Sequence, residues 1–184
     1  SFPEALEMLA KKAGVKLKPR SKNSDDSHSK NRLFEANDRA MAYYHLALSN
    51  NSQAKDYFFK TRKLSTEIIK KFKLGYSPDS WEGLTKYLNS KGFDDQVLID
   101  AGLCAKSPRG NGAYDLFRGR VMFPVFDMQN RAVGFSARVL GGEKVAKYIN
   151  TPQTDIYNKS FAIYGLSQSK EAIRSNDRVV VVEG

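Results

Sequence analysis

Three arginines, Arg118, Arg120 and Arg138, fall on or beside two β-rich runs, 121–127 and 132–140, that flank a polar turn. Packing gains nothing from guanidinium groups on a small hairpin, whereas a phosphate group matches their rigid fork of N–H donors. Further along, Lys147, Asn150 and Lys159 sit among turn-forming residues in KYINTPQTDIYNKS, supplying point charges and an amide that could hold a triphosphate and a sugar. Glu183 follows four consecutive valines. At the carboxyl end of a buried parallel strand, such an acid can coordinate a hard divalent ion or act as a general base. Each feature also has a plain alternative: a solvated outer sheet face, surface lysines and a simple strand-end glutamate.

The hairpin's register decides which side chains share a face. A three-residue loop, Met128-Gln129-Asn130 with Asn130 in the left-handed conformation, sets Arg120 opposite Arg138 and leaves Arg118 on the same side. Val121, Phe123 and Val125 then pair with Ala137, Phe135 and Val133 on the core face. A two-residue loop would bury Arg138 among apolar side chains, which is costly without a partner, so the longer loop is expected.

The elements that must carry these groups follow from apolar spacing and capping signals. Residues 2–15 space Phe2, Leu6, Leu9 and Ala13 as one face of a short helix, and residues 16–32 have the composition of a flexible basic linker. Phe34, Met41, Tyr44 and Leu48 mark a helix ending near 49–52, with a second helix carrying Tyr57 and Phe58. Ser65 or Thr66, Ser80 and Asp94 are candidate N-caps of three further short helices. A glycine-rich loop that includes Arg109 precedes the hairpin, a polar loop over 147–160 follows it, and a short helix near 167–175 comes next. The run RVVVVEG reads as a fully buried strand of the parallel kind. The fold class is α+β: a helical region, then a mixed or antiparallel β subdomain, ending in the first strand of an α/β fold.

Composition narrows the function classes. At 184 residues with 41% hydrophobic content, the chain supports one good core or two small ones. A net charge of +10 and a pI near 9.6 favour an acidic polymer as partner, although a merely solvated basic surface has the same charge. One cysteine, Cys104, and two histidines, His28 and His45, give neither a disulfide framework nor a Cys/His zinc site, and Cys104 in GLCA reads as a buried inert thiol. No apolar run is long enough to span a bilayer and no signal peptide is evident, so a reducing cytoplasmic setting is expected.

The stretches YDLFRGRVMFPVFDMQNRAVGFSARVLGG, KYINTPQTDIYNKS, IYGLSQSKEAI and RVVVVEG resemble, in order and spacing, the catalytic core of DnaG-type bacterial primases. IIKKFKLGYSP and the opening FPEALEMLAKKAGV extend the resemblance, the latter to the helix that ends the family's zinc-binding domain. It implies DNA-templated synthesis of short RNA primers from ribonucleoside triphosphates at a bacterial replication fork. Partners would be single-stranded DNA template, RNA primer, nucleotides and a replicative helicase, the last through a C-terminal region not in this sequence. The implied organisation is 1–15 as the end of the zinc-binding domain, 16–32 as linker, 33–105 as the helical part of the core, 106–175 as the β part with a basic groove, and 176–184 as the start of a TOPRIM domain.

By the same resemblance, Arg109, Arg118 and Arg120 would contact nucleic acid. Arg138, Lys147, Asn150, Lys159 and Lys71 would contact the nucleotide. Glu183 would be the first TOPRIM acid, both catalytic and bound to Mg2+ or Mn2+, with the remaining metal ligands outside this sequence and zinc confined to the preceding domain. One carboxylate makes no two-metal centre, so the 184 residues alone are expected to make no primers. Two other readings stay open: a non-catalytic single-strand-binding module, and a TOPRIM nuclease or topoisomerase fragment.

Overall fold

The structure is a computed structural model that describes residues 24–108, 110, 112–141 and 145–182. The helix expected over 2–15, the first part of the linker, Arg109 and Glu183 lie outside the described residues.

Helix α1 (Ser24–Leu48) places Leu33, Ala36, Ala40, Tyr44 and Leu48 on one buried stripe at helical spacing, with Phe34 and Met41 half-buried beside it. Residues 24–32 are therefore helical, which corrects the linker expectation there. Arg32 shows the reason: it donates to Glu35 (3.1 Å) and to the Gly92 carbonyl (2.7 Å), and its guanidinium lies 4.2 Å from the centre of the Phe93 ring. Gly92 and Phe93 lie far along the chain, and composition of the local segment does not reveal them.

Helix α2 (Ser52–Asp56) is capped by the Asn51 side chain, which accepts from the Ala54 amide, and it runs into a π-helical turn over Tyr57–Thr61. Ser65 caps α3 (Thr66–Lys71) through the Ile68 amide. Two short helices follow, α4 (Gly83–Asn89) and α5 (Asp95–Asp100).

Strands β1 (Gly75–Ser77), β4 (Arg120–Phe126), β5 (Ala132–Val139) and β6 (Tyr148–Asn150) form an antiparallel sheet in the order β1-β4-β5-β6. Strands β2 (Cys104–Lys106) and β3 (Ala113–Asp115) form a separate small ribbon. The presence of β6 corrects the expectation that 147–160 is loop throughout. Helix α1 covers one sheet face, where Tyr44 meets Phe135 edge-on, and a Cβ at Gly75 would come within 2.6 Å of the Tyr44 backbone. Tyr57, Phe58, Ile69 and Leu74 cover part of the other face, against Val121 and Phe123. Helix α6 (Leu166–Asn176) follows, and the architecture is α+β as expected.

The run 178–182 corrects another expectation. Val179 to Val182 are 58–83% exposed and carry no strand, because no described strand lies beside them to share a hydrogen-bond ladder.

The start of α4 is held from outside its own segment. Ser80 accepts only a long bond from the Glu82 amide (3.4 Å), whereas buried Asp115 of β3 accepts from the Leu84 and Thr85 amides and from the Thr85 hydroxyl. Removing that carboxylate strands three buried donors. Asp115→Ala is expected to lower stability by about 2–4 kcal/mol in urea unfolding monitored by circular dichroism. A change below about 0.5 kcal/mol would show that α4 does not depend on it.

Candidate nucleotide and nucleic-acid interface

The β4–β5 connection is the expected Met128-Gln129-Asn130 loop, and Asn130 is left-handed (φ 63°). Phe126 pairs with Ala132, but Val125 pairs with Gly134, so Val133 is an extra residue on β5 and the register shifts by one. Beyond this bulge, Arg138 lies opposite Val121, and Arg120 lies opposite Val139. The expectation that Arg120 and Arg138 share a face is thereby corrected: the bulge puts them on opposite faces.

Arg138 stands on the face that carries Tyr57, its guanidinium 4.7 Å from the centre of that ring. On the same face, a cleft of about 450 Å³ is lined by Tyr57, Arg62, Phe123, Val125, Ser136, Tyr148, Asn150, Tyr157, Lys159, Ala162 and Tyr164. Cross-strand pairing explains the membership, since Ser136 pairs with Asn150 and Arg138 with Tyr148. The structure thus brings Asn150 and Lys159 into one concavity with Arg138 at its margin. Among the described residues, no carboxylate forms an ion pair with Arg62, Arg138 or Lys159.

Lys159 is carried on an ordered turn. The Thr154 hydroxyl accepts from the Tyr157 amide (3.0 Å), Tyr157 is buried, and Asn158 accepts from the Ser160 amide. Upstream, Thr151 ties the segment to β5 by bonds in both directions with Phe135. Thr151 is also closely packed by two glycines: a Cβ at Gly102 would lie 2.6 Å from its methyl, and one at Gly134 of β5 would lie 3.0 Å from its Cβ.

The other candidates stand elsewhere. Arg120 is only 7% exposed and donates to the carbonyls of Ala146 (2.9 Å) and Lys147 (3.4 Å), which fastens the approach to β6. The same Lys147 carbonyl also accepts from the Val139 amide, while the Lys147 side chain is exposed outside the cleft lining. Lys71 is exposed at the end of α3 and does not line the cleft; its neighbour Phe72 stacks on Tyr164. Arg118 lies 3.9 Å from the centre of the Trp81 ring and 5.5 Å from that of Tyr114, and donates to the Asp115 carbonyl. Trp81 is 64% exposed, so this is a surface platform of one guanidinium and two aromatic rings.

Sequence reasoning missed Arg62, Trp81 and Tyr114. The signals were present: Arg62 lies in a basic run directly after YFF, and Trp81 is the only tryptophan. Among the described residues, no three of His, Cys, Asp or Glu cluster in a way that could hold a metal ion.

Cys104 is buried, and burial pushes its thiol up to about 12. The folded protein therefore keeps a proton that the unfolded chain gives up near pH 9, and the thiol's contribution to stability is full below pH 9 and declines as pH rises towards 12. At pH 8 a thiol-specific reagent is expected to label Cys104 only in denaturant. Rapid labelling of the native protein would contradict this burial.

Fold and cleft define an α+β domain that presents a cationic cleft on an antiparallel sheet. Residues 43–170 match the family described as DNA primase catalytic core, N-terminal domain, and the chain belongs to that family. Over its whole length it is 41% identical to a DNA primase of Deinococcus radiodurans and 38% identical to one of Pseudomonas putida, covering 31% and 28% of those proteins. The chain thus spans less than a third of the length of these curated relatives. It also resembles the RNA polymerase domain of Mycobacterium tuberculosis primase DnaG in complex with a double-stranded DNA oligomer bearing a 6-nucleotide overhang. There the TM-score is 0.78 at 36% identity, over 84% of this chain and 48% of that one. A structure of the zinc-binding and RNA polymerase domains of Aquifex aeolicus primase matches all of this chain and 43% of its own, with a TM-score of 0.78 at 32% identity.

Proposed function

We propose that this chain forms the nucleotide-holding and template-holding part of a primase core, an enzyme that synthesises short RNA primers on a DNA template by nucleotidyl transfer. The observation that carries this reading is the convergence of Arg62, Asn150 and Lys159 in one cleft, with Arg138 at its edge, inside the segment that matches the family. In such a reaction a primer 3′-hydroxyl attacks an α-phosphate and pyrophosphate leaves. Cations fixed beforehand around the polyphosphate stabilise the charge that grows on the leaving group. Lys159 and Arg62 take that part, and Asn150 offers an amide to the sugar or phosphates. Lys147 and Lys71, exposed outside the cleft, are left with longer-range attraction of phosphate.

On this reading Glu183 would help to hold Mg2+ or Mn2+, whose charge would offset that of the phosphates, and zinc would serve a zinc-binding domain. A helicase partner and a place at the bacterial replication fork are properties of the whole protein. Among the described residues no helix is long and apolar enough to cross a membrane.

Titrating the chain with ATP, with and without Mg2+, tests the cleft. Lys159→Ala is expected to weaken binding by at least about tenfold, the effect of removing a hydrogen bond to a charged group. Unchanged affinity would sink the nucleotide site.

A second reading, a module that only binds single strands, rests on the Trp81–Arg118–Tyr114 platform alone, since an exposed ring such as Trp81 stacks on bases without sequence preference. The two readings share this platform and part at the cleft. Binding of a labelled single-stranded DNA, followed by anisotropy, should weaken by about 1–3 kcal/mol in Trp81→Ala. In Arg118→Ala the salt slope should fall by about one. No effect of either change would remove the platform from the template path. Strand binding without any ATP binding would favour the module over the primase.

A further inference from the structure

The π-helical turn over Tyr57–Thr61 has no sequence motif to announce it, and turns of this kind gather at functional sites. Here the Arg62 amide donates to the Tyr57 carbonyl (2.8 Å) and the Leu64 amide to that of Phe58 (2.9 Å). On an α-helix, side chains five residues apart diverge by about 140°. The wider turn closes that angle, and Tyr57 and Arg62 both line the cleft. Tyr57 is 8% exposed, edge-packed on Phe58, and lies against the Arg138 guanidinium at 4.7 Å.

We propose that Tyr57 is a positioning residue for nucleotide binding: its ring face holds the Arg138 guanidinium at the margin of the cleft, so that the arginine meets the polyphosphate already ordered. This rests on the nucleotide reading of the cleft. The physical basis is the negative face of the aromatic quadrupole, which attracts a cation without neutralising it. A carboxylate in the same place would fix Arg138 and also cancel the charge that the ligand needs, and among the described residues none pairs with it. An arginine free to rotate would lose torsional freedom on each binding event, and the ring removes much of that loss beforehand.

The test keeps the shape of the ring and changes its electrons. The Tyr57→Phe protein should bind ATP within about twofold of the native protein, and successive fluorination of the introduced ring should weaken binding stepwise to about three- to tenfold, the range of a partly desolvated cation–π contact. The series should flatten in an Arg138→Ala background, while Lys159→Ala should retain its full effect in every member. Thermal melting of each variant confirms that it is folded. A fluorination series without trend in a folded protein that still responds to Arg138→Ala would overturn the role of Tyr57 and leave the nucleotide site standing. Indifference to both Arg138→Ala and Lys159→Ala would overturn the site itself, and the role of Tyr57 with it.

Discussion

The one-residue bulge at Val133 is the constraint on which the cationic arrangement depends. Strand side chains alternate, so an extra residue in β5 reverses the facing of everything beyond it relative to β4. Without it, Arg138 would stand with Arg120 on the α1 side, where Tyr44 and Phe135 make the main core. With it, Arg138 reaches the Tyr57 face, and Arg120 closes the opposite side by gripping the carbonyls of Ala146 and Lys147. Two residues of the same type thus take different work: one meets an aromatic ring at the edge of a cleft, and the other fastens the segment that leads into β6.

That fastening matters because β6 supplies Asn150 and Tyr148 to the cleft. A three-residue edge strand has little hold of its own. It is kept in register by three pairs with β5, by the Thr151–Phe135 bonds and by close packing on Gly102 and Gly134. The groups read as nucleotide ligands therefore stand on a tied-down segment, which is where a site needs its polar groups.

Much of this was legible in advance. Apolar spacing, the Ser65 cap and the three-residue hairpin loop located α1, α3 and the β4–β5 pair, because those signals are local; in sequence the polar residues at 49–52 mark only the end of α1, yet Asn51 among them caps α2. Gly134 inside the β5 pattern was the available sign of a bulge, since glycine within a strand often marks one. What stayed hidden was set by distant partners. Asp115 caps a helix thirty residues earlier, Arg32 finds Phe93 and Gly92, and Arg118 finds Trp81. The valine run carries no strand here because a buried strand needs neighbouring strands to receive it, and none is described beside it.

The cleft also has a built-in unevenness towards salt. Added electrolyte shortens the reach of surface charge to a few ångströms, so exposed lysines such as Lys71 and Lys147 lose most of their pull on polyanions. Arg138, with one side of its guanidinium against the Tyr57 ring, is partly withdrawn from those ions. Rising ionic strength therefore weakens long-range attraction first and direct contact at the cleft margin last.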